Sequence, residues 1–208
     1  MHSLARHIYL ASRSSRRREL LKQIGVSFEV LLLREGPQRA ADFDETPLAA
    51  EPPSDYVVRV ATAKAEAGWA RLGQRRLTRF PVLSADTTVA LEGKILSKPA
   101  DREEAAAFLR QLSGKAHQVH SAVAVKFDHR LEVALSTTEV LFRELDEQEI
   151  RQYVVSGEPQ DKAGAYAIQG RAAVFVRSIT GSYSGVMGLP LYETSQLLEK
   201  LRDRRNSY

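Results

Sequence analysis

The sequence predicts an α/β fold built around a mixed β-sheet, and three observations lead to that prediction. Apolar runs rich in β-forming residues alternate with stretches whose apolar residues have helical spacing. Two hairpins interrupt this alternation, with turns at Glu92-Gly93 and at Asp128-His129. Because hairpins join antiparallel strands whereas helical crossovers join parallel ones, the sheet is expected to contain both kinds of pairing.

The first three elements each have a local signal. Residues 7–11 and 28–33 are short apolar runs and are predicted as strands. Between them, Ser14 or Ser15 can accept hydrogen bonds from the free amides of a first helical turn, and Gly25 can end that helix. The chain is therefore expected to begin with a strand, a helix and a second strand.

A long connection and a long helix come next. Residues 34–53 are rich in acidic residues and proline, and loops of this length in compact domains are usually functional or disordered. Pro53 favours the start of a helix, which is expected to run to about Ala70. A strand at 81–85 is then predicted to end at Asp86, with the chain continuing extended toward the first hairpin turn.

The second half of the chain continues the pattern without a repeat or a convincing linker, so residues 1–208 are expected to form one domain. Asp101 is suited to cap a helix that ends at Leu112. The later elements are a long hairpin over 119–142, a helix over 146–155, a polar and small-residue segment over 158–170, a strand over 174–179 and a helix over 191–201.

Composition excludes several classes of function. The chain has no cysteine, which rules out disulfides, thiolate nucleophiles and cysteine zinc sites. Its five histidines lack metal-binding spacing, so a bound metal would be a hard ion held by carboxylates. The formal charge of +4 suits an anionic ligand but not a nucleic-acid binder. No apolar run approaches the roughly 20 residues of a membrane-spanning helix. We therefore expect a cytoplasmic protein that needs neither nucleic acid nor membrane.

Two polar clusters follow predicted strands. The segment 12–17 joins a strand to a helix N-terminus, where backbone amides and arginine side chains attract anions; a capped, solvated helix start explains it equally. In the segment 84–88, Asp86 can hold a metal or accept a proton from water, because ligands bind at strand ends in open α/β sheets. The alternative is a turn-forming aspartate that caps backbone amides.

Two further clusters lie later in the chain. Lys98 follows the first hairpin, which could return it to the site near Asp86, although an isolated lysine is usually only solvated. In the segment 161–170, small residues allow close approach to a ligand, and the Gln169 amide can contact a base edge; a polar loop is the alternative. Together the four clusters suit a polyphosphate with a base attached, for which catalysis is mostly positioning and charge neutralisation.

The same segments resemble the Maf family of nucleotide pyrophosphatases. The matching motifs keep the family's order from about residue 8 to 200: LASRSSRRRELL at 10–21, SADT at 84–87 continuing to KPAD at 98–101, SGKAH at 113–117, EPQDKAGAYAIQG at 158–170 and GLPL at 188–191. The resemblance implies an elongated mixed β-sheet flanked by helices, as in Maf and ITPase-like proteins, with two lobes and a central cleft. It also implies metal-dependent hydrolysis of a nucleoside triphosphate, and a possible homodimer.

The resemblance assigns roles position by position. Asp86 is similar to the family's proton acceptor, and with Glu45 it would hold Mg²⁺ or Mn²⁺. The phosphate contacts would be Ser12, Arg17, Lys64 and Lys98, and the residues that set specificity would be Arg16, Thr87 and Gln169.

The segment 163–170 resembles the branch of the family that acts on dTTP and UTP. The departures from the family pattern are Ser15, Ser84, Ala167 and Ser184-Gly185. Ser15 keeps a helix-capping hydroxyl, whereas Ser84 and Ala167 add side-chain bulk near the inferred pocket and bear on substrate fit. Two alternatives stay open at this point: the same chemistry on another or modified nucleotide such as 7-methyl-GTP, and a non-catalytic regulator of cell division.

Overall fold

Strands and helices alternate along the residues that the computed structural model describes, 7–34 and 41–203. The strands are β1 (Ile8–Leu10), β2 (Phe28–Val30), β3 (Val82–Leu91), β4 (Lys94–Leu96), β5 (Ala116–Phe127), β6 (Arg130–Phe142) and β7 (Val176–Thr180). The helices are α1 (Ser15–Gln23), α2 (Pro53–Gln74), α3 (Arg102–Leu112), α4 (Glu147–Val155), α5 (Tyr183–Met187) and α6 (Leu191–Asp203), with 3₁₀ turns at Ala163–Ala165 and Arg171–Phe175.

The strands form one mixed sheet, which confirms the predicted fold class. Their order is β2-β1-β3-β5-β6-β7, and β4 pairs with β3 off this path. β1 is parallel to β2 and β3, whereas all the other pairs are antiparallel. The parallel pairs enclose helical crossovers and the antiparallel pairs include the two hairpins, as the sequence pattern required.

The middle of β3 has an unpaired edge. β5 pairs with β3 over residues 82–90. Along the opposite edge, β1 pairs only with Val82 and Leu83, and β4 pairs with residues 89–91. No strand of the described chain therefore covers residues 84–88 on that side. We call this gap the β3 notch, and it opens between the end of β1 and the hairpin strand β4.

Helices cover the two faces of the sheet and form separate cores. On one face, α2 packs Val57, Ala61 and Ala65 against small residues of β5. On the other face, α1 and α6 pack against β3 and β5 on one side of the notch, and α3 and α4 build a second core with β4, β5 and β6 on the other side. The division of the domain into two lobes with a central cleft stays a prediction. Within the described residues, no helix is long and apolar enough to cross a membrane.

Local signals fix several element ends as predicted. Ser14 caps α1 by accepting a hydrogen bond from Arg17 N at 3.4 Å, and Asp101 caps α3 by accepting from Glu104 N at 2.8 Å. The Glu92-Gly93 turn has positive φ at both residues, 51° and 77°. Such a turn matches the right-handed twist of the strands it joins.

Other expectations were wrong in detail. Asp86 does not end a strand, because β3 continues without a break to Leu91. The second strand stops at Val30, α2 runs on to Gln74, and residues 171–175 form a 3₁₀ turn before β7. The helix α5 carries no strong helical pattern and was not predicted. Within the long connection, residues 35–40 lie outside the described residues, and 41–52 contain neither helix nor strand.

Candidate active site

Lys64 lies between two carboxylates at the β3 notch. Its side chain is buried in the apolar stripe of α2, and its Nζ donates to Asp86 Oδ1 at 2.8 Å. Nζ also forms an ion pair with Glu45, and it lies 5.1 Å from the centre of the Phe43 ring. Because an unpaired buried charge is costly, the two carboxylates account for an ammonium in this position. The arrangement is a negatively charged triad, Glu45–Lys64–Asp86.

Glu45 belongs to residues 41–52, which we call the acidic strap because they cross α2 and carry several acids. Arg59 of α2 holds the strap by donating to both carboxylate oxygens of Glu51, at 2.6 and 2.8 Å. Arg59 also donates to the carbonyls of Thr46 at 2.9 Å and Asp44 at 3.4 Å, on either side of Glu45. The hydrogen bonds from Arg59 bring the pKa of Glu51 down to about 2.

A second pair of contacts secures the same strap. The Tyr56 hydroxyl donates to the backbone carbonyl of Glu45 at 3.0 Å. Further along α2, Arg71 forms a two-point ion pair with Asp42, which holds the pKa of that carboxyl below its usual value. α2 thus contributes Lys64 itself and also the residues that hold Glu45 beside it.

Electrostatics connect this triad to the basic residues around it. Burial acts to raise the pKa of Glu45, but the charges of Lys64, Lys98 and Arg17 bring that pKa below its usual value. The pKa of Tyr56 is raised by burial and by the nearby negative charges of Asp86 and Glu45. Of the predicted site residues, Lys64 contacts both Glu45 and Asp86, and the charges of Lys98 and Arg17 act on Glu45.

Arg17 joins α1 to the segment that follows α5. Its guanidinium donates to Ser12 Oγ at 3.2 Å and to the carbonyl of Gly188 at 2.8 Å. Gly188 has φ of +119°, which strongly favours glycine. A β-carbon built there would lie 3.8 Å from Arg17 Nε and 3.9 Å from Thr87 Oγ1. Arg17 and Thr87 are therefore close neighbours at Gly188.

The opposite face of β3 carries hydroxyls. Thr87 Oγ1 lies 2.7 Å from Ser121 Oγ on β5, and Ser121 Oγ donates to the carbonyl of Gly185 at 2.6 Å. Arg16 Nε donates to the carbonyl of Met187 at 3.2 Å in the same segment. Thr87 and Arg16 are thus linked through residues 185–188, which form the end of the unpredicted helix α5 and its C-terminal cap.

Gln169 lies in a turn at the end of the segment 161–170. Its side chain is exposed and forms no hydrogen bond with another described residue. The segment before it is anchored, because Gly164 N donates to Ser97 O at 3.2 Å and a β-carbon at Gly164 would lie within 3 Å of the Val89 side chain. Ser97 immediately precedes Lys98, so this segment joins the Lys98 side of the notch.

Three hydrogen bonds hold the other end of that segment. The Tyr153 hydroxyl accepts from Ala167 N at 3.3 Å and lies 3.0 Å from Glu158 Oε1. The other carboxylate oxygen of Glu158 accepts from Arg171 N at 3.1 Å. Gln169 thus projects from a turn whose backbone is fixed on both sides.

Sequence reasoning missed three residues that support the site: Tyr56, Arg59 and Ser121. Tyr56 lies eight positions before Lys64, so helical periodicity places it near the same face of α2, and this signal could have found it. Lys64 itself interrupts an otherwise apolar stripe, which is a signal of the same kind. Nothing local distinguishes Ser121 from any other buried serine.

The chain is similar to known proteins along most of its length. The sequence model of the Maf family, described as Maf-like protein, matches residues 7–201. A protein of Nitrosomonas europaea named dTTP/UTP pyrophosphatase is 60% identical over 193 residues, 93% of each chain. One of the same name from Aromatoleum aromaticum is 58% identical over 200 residues, 96% of this chain and 97% of its own.

A solved structure supports the fold. The Ham1 protein of Staphylococcus aureus superposes with a TM-score of 0.53 over 96% of this chain and 100% of its own. At 14% sequence identity this likeness concerns the fold alone. The family match, by contrast, covers nearly all the residues that the structure describes, together with relatives at 58–60% identity. The chain belongs to the Maf family.

Proposed function

We propose that this protein hydrolyses dTTP and UTP, each to its nucleoside monophosphate and pyrophosphate. The observation that carries the proposal is the Glu45–Lys64–Asp86 triad at the β3 notch, where the charges of Arg17 and Lys98 also act on Glu45. A triphosphate needs cations along its length and an acid beside the reacting phosphorus, and the triad suits both needs. The choice of dTTP and UTP is supported by the names of the relatives at 58–60% identity.

In the proposed reaction, water attacks the α-phosphorus of the nucleotide. A new oxygen–phosphorus bond forms, the bond from the α-phosphorus to the bridging oxygen breaks, and pyrophosphate leaves. Asp86 accepts the proton of the water, and the hydrogen bond from Lys64 orients its carboxylate. Arg17, Lys98 and the Ser12 hydroxyl stabilise negative charge on the phosphate oxygens.

The donor set suits a divalent metal that is shared with the nucleotide. Among the described residues, no group of three or more histidine, cysteine, aspartate or glutamate side chains could hold an ion without other ligands. Mg²⁺ is commonly bound through one or two carboxylates together with substrate phosphates, and Mn²⁺ also favours oxygen ligands. Glu45 and Asp86 are the residues that would hold it, and it would supply further charge neutralisation at the phosphates.

We assign base recognition to the other face of β3. Arg16 and Thr87 lie against residues 185–188 there, and we add Gln169, which is exposed in a turn with an anchored backbone. None of these three side chains takes part in the charged triad. Their separation from the triad supports a division between residues that bind the base and residues that act on the phosphates.

The test is product analysis in ¹⁸O-labelled water with dTTP or UTP, with and without Mg²⁺ or Mn²⁺. We expect equal amounts of monophosphate and pyrophosphate, a requirement for the metal, and the label in the monophosphate alone. Label in pyrophosphate would move the attack to the β-phosphorus. Release of orthophosphate and a nucleoside diphosphate would overturn the proposed reaction.

A further inference from the structure

Thr87, Ser121 and Gly185 form a short chain of hydrogen bonds on the face of the sheet opposite Asp86. Ser121 lies on β5 directly across from Thr87 and is 1% exposed. Its Oγ lies 2.7 Å from Thr87 Oγ1 and 2.6 Å from the carbonyl oxygen of Gly185. Thr87 is only partly buried and lies beside Gly188 and Arg17. The Gly185 end of this hydrogen-bonded chain is therefore buried in the protein, and the Thr87 end reaches the candidate site.

The number of hydroxyl hydrogens determines which group donates in each of these hydrogen bonds. A serine hydroxyl carries one hydrogen, and a backbone carbonyl can only accept. The hydrogen of Ser121 therefore points to Gly185, and Ser121 Oγ can only accept from Thr87. The single hydrogen of Thr87 is then committed to Ser121. Thr87 Oγ1 is left with a free lone pair and no hydrogen for a ligand.

We propose that Ser121 fixes the Thr87 hydroxyl as an acceptor toward the nucleotide, and that Thr87 thereby selects the N3–H donor of uracil and thymine. This inference rests on the proposed function and deepens it. Phosphate oxygens are acceptors only, so an acceptor at Thr87 does not bind the phosphates. Ser121 touches no part of the nucleotide in this scheme and is a positioning residue.

The chemistry of the bases points to N3. dTTP and UTP differ at the ribose 2′ position, so a contact with the 2′-hydroxyl would separate them. They share the N3–H donor, whereas cytosine has an unprotonated acceptor nitrogen at N3. An acceptor held in one direction therefore favours uracil and thymine and repels cytosine. A hydroxyl that is free to rotate would accept from the first two bases and donate to the third equally well.

The experiment compares kcat/KM for UTP, dTTP and CTP in the intact protein and in Ser121→Ala. Without the serine oxygen, the Thr87 hydrogen is released and can be donated to N3 of cytosine. We expect the UTP to CTP ratio of kcat/KM to fall roughly tenfold, within the range for one base contact, mainly because CTP turnover rises. The UTP to dTTP ratio should not change.

Two further variants separate this effect from a general disturbance. Ser136→Ala removes a buried hydroxyl from the residue paired with Ser121 across β5 and β6, and no hydrogen bond in the described chain joins Ser136 to Thr87. It should leave the ratio unchanged. Thr87→Val removes the acceptor itself, so it should lower the ratio even with Ser121 present. Adding Ser121→Ala to Thr87→Val should then have no further effect on the ratio.

Each outcome bears on one proposal. If the intact protein does not form pyrophosphate from UTP, the proposed function fails whatever the variants do. If it does, but Thr87→Val keeps the UTP to CTP ratio of the intact protein, the assignment of Thr87 is wrong. Equal losses on all three nucleotides in a folded Ser121→Ala protein would mean that Ser121 only supports residues 185–188. Should Ser121→Ala fail to fold, a Thr87→Val protein that keeps the UTP to CTP ratio of the intact protein would still overturn the inference.

Discussion

Asp86 and Thr87 are neighbours in sequence, yet their side chains leave β3 on opposite faces and enter different surroundings. Asp86 meets the buried ammonium of Lys64 and, through it, the carboxylate of Glu45. Thr87 meets the neutral hydroxyl of Ser121. Because side chains alternate along a strand, one notch is thus lined by charged groups on one face and by neutral hydroxyls on the other. A ligand seated at the unpaired edge of β3 can reach both faces at once.

The two faces differ in how they control a ligand. On the α2 face, formal charges act over several ångströms and favour any polyphosphate, whatever its base. On the hydroxyl face, hydrogen bonds act only at contact and depend on which partner holds the hydrogen. We therefore expect changes on the first face to alter turnover of every nucleotide alike, and changes on the second face to alter the preference among nucleotides.

The largest expected effect tests the charged face. Asp86→Asn keeps the size of the side chain but removes the proton acceptor and one of the two carboxylates around Lys64. We expect kcat to fall roughly 10²- to 10⁴-fold on UTP, dTTP and CTP alike, as for loss of a general base. Steady-state kinetics on the three nucleotides, with a thermal melt to verify folding, measures this.

Ser84→Ala is the matched control for Asp86→Asn. Ser84 lies on the same face of β3, two residues earlier, and its hydroxyl donates to Ala61 O on α2 at 2.5 Å. It carries no charge, so its removal should leave kcat within a few-fold of the intact protein. A folded Asp86→Asn protein with near-normal turnover would refute the role given to Asp86.

An intermediate effect tests the recognition face at Gln169. A well-placed contact with a base contributes about 1–3 kcal/mol of discrimination, so Gln169→Ala should lower kcat/KM for UTP and dTTP by roughly 5- to 150-fold. Poor substrates should lose much less, which would flatten the preference. Gln160→Ala, another exposed glutamine in the same segment, should have no such effect. Equal losses on every nucleotide would instead assign Gln169 to the phosphates or to the loop.

The smallest expected effect tests how the charged face is held. Arg59→Ala releases the acidic strap on both sides of Glu45 without touching the triad. Residues that support a metal ligand typically contribute 10- to 100-fold, and we expect the lower end here, about a tenfold loss of kcat on every nucleotide. The concentration of Mg²⁺ needed for half-maximal rate should rise as well, which titration of the metal at saturating UTP would measure.

Arg110→Ala provides the control for Arg59→Ala. Arg110 forms the same kind of two-point ion pair with Glu147, at 2.9 and 2.5 Å, but between α3 and α4 and on the surface. Exposed pairs contribute little to stability, so this variant should resemble the intact protein in rate and in metal requirement. A selective loss on UTP in Arg59→Ala would break the proposed division between the two faces.

Local chemistry made much of this protein predictable from its sequence. The caps at Ser14 and Asp101 and the turn at Glu92-Gly93 depend on residues within three or four positions, and the sequence contains all of them. The alternation of apolar runs determined the mixed sheet in the same way. Most candidate residues lie in motifs, because a charged or amide side chain in a fixed local pattern is visible without the fold, whereas Glu45 and Lys64 came from the family resemblance alone.

Only the tertiary structure decided how those residues meet. The notch in β3 exists because β1 ends early and β4 begins late along one edge. The sequence of a single strand does not show which distant strand pairs with it. For the same reason Asp86 was expected at the end of a strand. Helix α5 is short, and contacts such as Ser121 to Gly185, 64 positions apart, support it rather than its own propensity. Burial and hydrogen-bond direction depend on such long-range neighbours, and these determine what Lys64, Thr87 and Ser121 can do.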